Sequence, residues 1–320
     1  MDSFKKAGID LNVQILFDDA YFRFLRDPSN GIKKKLQKSS YVASRFRLRM
    51  NELRLDRSSL AIIEQQLFPY MPFPIEKRYL PKNYLVEFDD AIYLTHPKKL
   101  PKVIRNASGV IAGNRTLADY SKQYNQNVHI VPTVLDSENF QPREKTKREK
   151  LIIGWSGIEY NFKYIRNLGP IFDRLAKKYP VEIVILSASP PRDFDFPFTH
   201  EKWNEKTEVD QIGQFDIAVM PLEMDEWCKG KCGLKLLQYM SLEIPSIATP
   251  IGVNSEIVKE GENGFTAITQ EEWEQSLTRL IEDPTLRTKL GKAARQTVID
   301  HYSLEVWFPK IVSLYKSYCD

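Results

Sequence analysis

Apolar runs of strand length alternate with helical patterns almost from one end of the chain to the other, and this alternation most restricts the fold. The candidate strands are Leu11–Phe17, Leu60–Ile63, Tyr84–Phe88, Gly109–Ala112, Val128–Pro132, Leu151–Trp155, Val181–Leu186, Phe215–Pro221 and Ser246–Thr249. Most are rich in Val and Ile and apolar throughout, as strands buried on both faces of a parallel sheet must be. Between them lie helical segments such as Thr116–Tyr124, Asn161–Lys178 and Gly233–Leu242. The pattern predicts doubly wound α/β architecture with right-handed crossovers.

At 320 residues the chain exceeds one ordinary core, so two domains are expected. The break falls at Asp136–Lys150, DSENFQPREKTKREK, which is polar, highly charged and without apolar periodicity, a linker composition. The expected units are a Rossmann-like domain over 1–140, a second over 150–300, and a C-terminal helix over 301–320 that packs back on the first. Thr269 and Glu272 form a capping-box pattern, and Asp283-Pro284 supplies a cap and a first-turn proline. The N-terminal domain lacks the usual opening strand and glycine turn: Asp2–Gly8 resembles the tail of a first helix. This predicts an N-terminally shortened form of a longer protein, with a gap in the middle of its sheet beside Leu11–Phe17 and Tyr84–Phe88.

Apolar residues at 42% and charged residues at 28% match a soluble globular protein. No apolar run approaches the roughly 20 residues of a membrane-spanning helix, and Met1–Leu11 lacks the apolar core of a secretory signal. Cys228, Cys232 and Cys319 cannot all pair, which points to a reducing cytoplasm, and no Cys/His spacing suggests a metal. Net charge is +4, yet Gly31–Arg57 alone carries +7 through Lys33, Lys34, Lys35, Lys38, Arg45, Arg47, Arg49, Arg54 and Arg57 against Glu52 and Asp56. A solvated helix face explains it most simply, and an anionic membrane surface is the sharper reading. With no recognisable RNA- or DNA-binding motif, nucleic acid is not an expected partner.

The stretch Phe215–Gly264 carries the most chemistry. Its loop Glu223–Cys232 feeds a helix beginning at Gly233, and a helix N-terminus offers free N–H groups suited to a diphosphate. Lys229, Lys231 and Lys235 add cations beside Gly230 and Gly233. The stretch continues through Thr249-Pro250-Ile251-Gly252-Val253, Glu256 and Glu260-Gly261-Glu262-Asn263-Gly264-Phe265. "GLKLLQYMSLEIPSIATPIGVNSEIVKEGENGF" resembles the donor-binding signature of glycosyltransferase family 4.

That resemblance implies the two-lobed GT-B fold, with two Rossmann-like domains facing a cleft. It also implies a nucleotide-sugar donor, retention of anomeric configuration, no metal and no separate cofactor. The acceptor would be a glycan or lipid-linked molecule in polysaccharide or glycolipid synthesis. It assigns donor binding to Ser156, Gly157, Lys229, Gly230, Lys231, Gly233 and Gln238. The family's first motif Glu falls on Gly230 and its second on Gln238, whose amide can still hold ribose hydroxyls. Asp225 or Glu226 are candidate replacements for the first. The cations expected after the first strand of the second domain have no match in Ser156–Lys163, so Lys163 and Lys235 are assigned catalytic charge stabilisation with Lys229 and Lys231.

In the first domain, Glu87-Phe88-Asp89-Asp90-Ala91 ends a buried strand, the edge at which open α/β sheets bind ligands. Asp89 and Asp90 are candidates for acceptor contact or base, against the plainer reading that one caps the next turn. Asn114 reads as the cap of the helix that follows it. His200 and Trp203 are candidates for the border of a base pocket. Two alternatives to the transferase stand: a catalytically silent GT-B-like binding lobe, and a two-lobed epimerase with only Asp89 and Asp90 as acid and base.

Overall fold

The computed structural model describes residues 2–18, 20–21, 24, 31–56 and 58–319. Of the basic stretch, Arg57 and the side chain of Lys33 lie outside the described residues.

Two parallel sheets form. The first has strands β1 (Ala61–Glu64), β2 (Tyr84–Phe88), β3 (Gly109–Ala112) and β4 (Val128–Ile130) in that spatial order. Register sets Ala61 beside Tyr84, Leu85 beside Gly109 and Val110 beside Val128. The second has β5 (Leu151–Ser156), β6 (Val181–Ser187), β7 (Thr199–Lys202), β8 (Ile217–Met220), β9 (Ser246–Ala248) and β10 (Phe265–Thr266), in the order β10-β9-β8-β5-β6-β7. From β5 the chain moves one way to β6 and later the other way to β8. That reversal opens a crevice at the C-terminal ends of β5 and β8, where α/β sheets take ligands.

Both sheets are sandwiched by apolar side chains. Val86, Phe88, Val110 and Leu117 share one core, and Ile153, Trp155, Ile183, Ile217 and Leu277 share another. Thr269 and Glu272 form the capping box of helix Gln270–Glu282, and Asp283 caps Pro284–His301. The single helix expected over Asn161–Lys178 is two, Phe162–Arg166 and Gly169–Lys178. Pro170 begins the second, because its ring and missing N–H are tolerated only in a first turn. The edge strands β7 and β10 were not anticipated; β7, THEK, has no apolar run to reveal it.

Two expectations about the first domain are corrected. Tyr84–Phe88 is paired on both sides, so the sheet has no gap in its middle. Leu11–Phe17 is not a strand. Its carbonyls are taken by the helix Ile32–Leu55: Arg45 donates to Ile15 O and Leu16 O at 2.6 and 2.7 Å, and Arg49 to Gln14 O at 3.0 Å. Among the described residues no strand pairs the outer edge of β1.

The chain crosses between the sheets twice at one place: Leu135 N donates to Tyr302 O at 2.8 Å, and Leu304 N to Leu135 O at 2.9 Å. The helix Leu304–Lys316 then returns to the first sheet, where Tyr318 O accepts from Asn83 and its hydroxyl meets His129 Nε2 at 2.8 Å. The charged segment between the sheets is tied down along its length. Arg143 reaches Asp210 at 2.8 Å, while Lys145 and Arg148 reach Asp216 at 3.1 and 2.6 Å.

Asp216 also accepts from Ile152 N at 2.8 Å and so anchors the start of β5. Burial raises its carboxyl pKa, but Lys145, the Ile152 amide and Arg148 together hold it below the ordinary carboxylate value. A depressed folded-state value means stabilisation that is present above the unfolded pKa and lost as pH falls through the folded one. Asp216→Asn is expected to cost about 2–3 kcal/mol at pH 7, because two cations lose their partner. Urea titrations should show the difference from wild type vanishing in acid; a loss that persists there would mean the charge is not responsible.

Candidate functional site

The segment after β8 is held open by side chains. Leu222 N donates to Thr249 Oγ1 at 3.0 Å, and Asp225 caps the short helix Glu226–Lys229 by accepting from Cys228 N at 2.7 Å. Gly233, at φ 75°, turns the chain into helix Leu234–Ser241, a left-handed conformation that favours glycine. No side chain caps that helix. The first-turn amides of Leu234, Lys235 and Leu236 thus have no intrahelical acceptor and carry the positive end of the helix dipole.

One turn further, Gln238 is buried and its Oε1 has no hydrogen-bond partner. A buried acceptor left unpaired costs about 1–3 kcal/mol, so the position suits an incoming hydroxyl or amide. Trp227 Nε1 is likewise buried and unpaired, with Lys231 Nζ 5.9 Å from its ring centroid.

The other wall comes from the first domain, and the two meet through Gly230–Cys232. Asn114 Nδ2 donates to Gly230 O at 2.9 Å and Lys231 O at 3.2 Å, while its Oδ1 accepts from Leu117 N at 2.9 Å. Asn114 is therefore the expected helix cap and an interdomain clasp at once. Cys232 packs into the core of the first domain, and burial pushes its thiol up to about 12. At Gly230 a Cβ would stand 2.7 Å from the amide nitrogen of Ala91, so no side chain fits there without moving the domains apart. This close approach holds position 230 to glycine.

The predicted cations do not converge. Lys229 pairs with Glu226 on the outside, Lys163 with Glu223 at 2.8 Å, and the half-buried Lys235 lies 3.7 Å from Glu208. Lys231 lies 3.9 Å from Asp90 of the first domain. Neither proposed substitute for the missing glutamate is free: Asp225 is a cap and Glu226 is paired. Ser156 and Gly157 also differ from expectation. Ser156 N donates to Tyr239 Oη at 2.8 Å and Gly157 N to Leu186 O at 3.0 Å, so neither amide faces the crevice unpaired.

Asp89 and Asp90 lie at the C-terminal end of β2, and the turn Ile92–Leu94 has no side-chain cap, which removes the plainer reading. Burial raises the Asp90 pKa, Lys231 lowers it and Asp89 raises it, with a net upward shift. Trp203 is bonded to Glu208 at 2.9 Å, and His200 Nε2 lies 3.1 Å from Ser187 O. Sequence reasoning missed the clasp role of Asn114, the Ser156–Tyr239 contact and Glu208. Each depends on a partner 27 or more residues away.

With this geometry in place, likeness to known proteins is informative. The family described as Glycosyl transferases group 1 matches residues 195–297. A sucrose synthase of Melioribacter roseus is 34% identical over 92 residues, which are 27% of this chain and only 12% of that protein. Sucrose-phosphate synthase from Thermosynechococcus elongatus superposes with a TM-score of 0.69 at 14% identity, over 90% of this chain and 80% of the other. A glycosyltransferase from Rickettsia africae ESF-5 gives 0.63 at 14% identity, over 99% and 87%. Anabaena HepE, solved in complex with UDP and glucose, gives 0.59 at 14% identity, over 73% and 72%.

The fold is GT-B. The matched stretch spans the whole Gly233 site, from before β7 to within helix Pro284–His301. The Gly230–Cys232 contact is where the two lobes meet.

Asn114→Asp separates the two duties of that residue, since Asp still caps but places an anion against two carbonyl oxygens. Amide hydrogen exchange in helix Arg115–Lys122 should stay as in wild type, while Gly230–Cys232 exchanges at least tenfold faster, a change of about 1.4 kcal/mol. Unchanged exchange in the loop would show that the clasp does not hold the lobes together.

Proposed function

We propose that the chain transfers a sugar from a nucleotide-sugar donor to a glycan or lipid-linked acceptor, with retention and without a metal. The observation that carries this is the uncapped helix end at Gly233, with Lys231 and the unpaired Gln238 Oε1 beside it, facing Asp90 across the crevice. Anabaena HepE has been solved in complex with UDP and with UDP-glucose, which supports a nucleotide-sugar donor here. The departing diphosphate would take the amides of Leu234–Leu236 and the Lys231 ammonium, fixed charges that need no rearrangement as negative charge grows. Gln238 would hold the ribose, and Asp90 or Asp89 an acceptor hydroxyl. A catalytically silent lobe is favoured by one observation, the closure over Gly230 that excludes the family glutamate.

Screening UDP-, GDP-, ADP- and CMP-sugars by thermal shift should find one nucleotide that stabilises the chain. Lys231→Ala should weaken that donor about tenfold, the value of one charge-assisted bond, with the fold intact. Unchanged affinity would remove the site. Donor consumption that depends on an added acceptor extract supports transfer, whereas binding without consumption supports the silent lobe.

We also propose a cytoplasmic location with docking on an anionic membrane. No helix among the described residues is long and apolar enough to cross a membrane. The helix Ile32–Leu55 combines its lysines and arginines with exposed Ile32, Leu36, Leu48 and Leu55. Arg45 and Arg49 are engaged with the Gln14–Leu16 carbonyls, so Lys35, Lys38, Arg47 and Arg54 are the cations to test. Binding to anionic vesicles should fall steeply with salt, and equal binding to neutral vesicles would refute the electrostatic part.

A further inference from the structure

A cavity of about 1250 Å³ runs along the outer edge of β1, bounded by the extended Gly8–Leu16 segment, helix Ile32–Leu55 and the C-terminal helix Leu304–Lys316. In a parallel ladder the N–H and C=O of one residue turn toward the neighbouring strand, and those of the next residue turn away. Ala61 N donates to Asn83 O and Gln65 N to Glu87 O, so residues 61, 63 and 65 bond β2. The backbone of Ile62 and Glu64 therefore faces the cavity. Glu64 O is taken by Gln66 N at 2.6 Å, but Ile62 N–H, Ile62 C=O and Glu64 N–H have no partner among the described residues.

The far wall does not supply one, because the Gln14, Ile15 and Leu16 carbonyls are spent on Arg45 and Arg49. Main-chain donors and acceptors at ladder spacing are matched by the backbone of another strand. A hydrocarbon chain would fill the space and leave them unpaired.

The side chains around this edge specify the occupant. A strand laid beside β1 meets Leu53 of helix Ile32–Leu55 on one face, and Ile311 and Tyr315 on the other. Val13 and Ile15 line the far wall with their side chains exposed. A strand covered on both faces is apolar at successive positions. Toward the C-terminal end of β1 the lining turns acidic: Glu64 stands opposite Glu87 in register, and Asp89 follows two residues on. Burial and the Glu64 and Asp89 carboxylates all raise the pKa of Glu87, with no cation offsetting them. The cations in the lining point elsewhere: Arg49 donates to Gln14 O and meets Glu52 at 3.5 Å, and Lys316 lies beside Gly8.

We propose that the outer edge of β1 takes up an extended segment of a partner polypeptide as a fifth strand of the first sheet, an apolar run with a Lys or Arg where it passes Glu64 and Glu87. The apolar extended runs among the described residues are already in a sheet or line this cavity, so a second copy of the chain has none to lend.

The test titrates the full chain with a synthetic peptide, Ser-Val-Ile-Val-Val-Arg-Gly-Ser, with a counterpart carrying glutamate in place of the arginine, and with palmitate. The arginine peptide should bind at least tenfold more tightly than the glutamate peptide, and in its complex the Ile62 and Glu64 amides should exchange at least tenfold more slowly. Two further versions of the arginine peptide are N-methylated at one or the other set of alternate amides. The set that faces β1 should lose at least tenfold in affinity, because a methyl group removes the ladder donors. Glu64→Lys should reverse the order of the arginine and glutamate peptides, a gain that misfolding cannot imitate. The proposal is overturned if neither peptide binds at millimolar concentration, if the bound peptide leaves Ile62 and Glu64 exchange unchanged, or if palmitate binds and the peptides do not. A dimer that protects Ile62 and Glu64 without any peptide would assign the edge to a second copy and overturn it as well.

Discussion

Two backbone carbonyls, Gly230 O and Lys231 O, accept from one buried side-chain amide, and the arrangement of the site depends on that contact. Asn114 belongs to the first domain and the carbonyls to the second, so the bond fixes the distance across the crevice. Gly230 lets the backbones approach, Cys232 fills the space behind, and Lys231 is left facing Asp90. Remove the amide and the two carbonyls must find water, which they can do only if the lobes part.

The same contact explains the glycine at 230, where a Cβ would strike Ala91. The chain trades a side chain in the crevice for contact between its walls. The groups left without partners on this side are the helix amides after Gly233, Gln238 Oε1 and the indole N–H of Trp227. Lys163, Lys229 and Lys235 are each drawn to a nearby carboxylate, which local charge pairing decides and a linear count of cations does not show.

Much of the architecture was legible because burial on both faces leaves an apolar run. Tyr84–Phe88 and Gly109–Ala112 match the strands residue for residue. Where burial is one-sided, the signal fails. β7 is polar and was missed, and Leu11–Phe17 looks like a strand yet gives its carbonyls to two arginines from a helix about 30 residues on. The segment 136–150 has a linker's composition, but its charges are spent on Asp210 and Asp216. At the site, the glycine turn before helix Leu234–Ser241 was legible from local chemistry. The double duty of Asn114 was not, because a cap is local and a clasp is set by the fold.

The most direct test of the account is a crystal structure of the chain with the nucleotide sugar that stabilises it. The account places the diphosphate within hydrogen-bond distance of the Leu234–Leu236 amides and Lys231 Nζ, with the ribose at Gln238 and the Asn114 contacts intact. A diphosphate bound elsewhere, or lobes parted at Gly230 with the nucleotide held by Lys163 or Lys229, would contradict it.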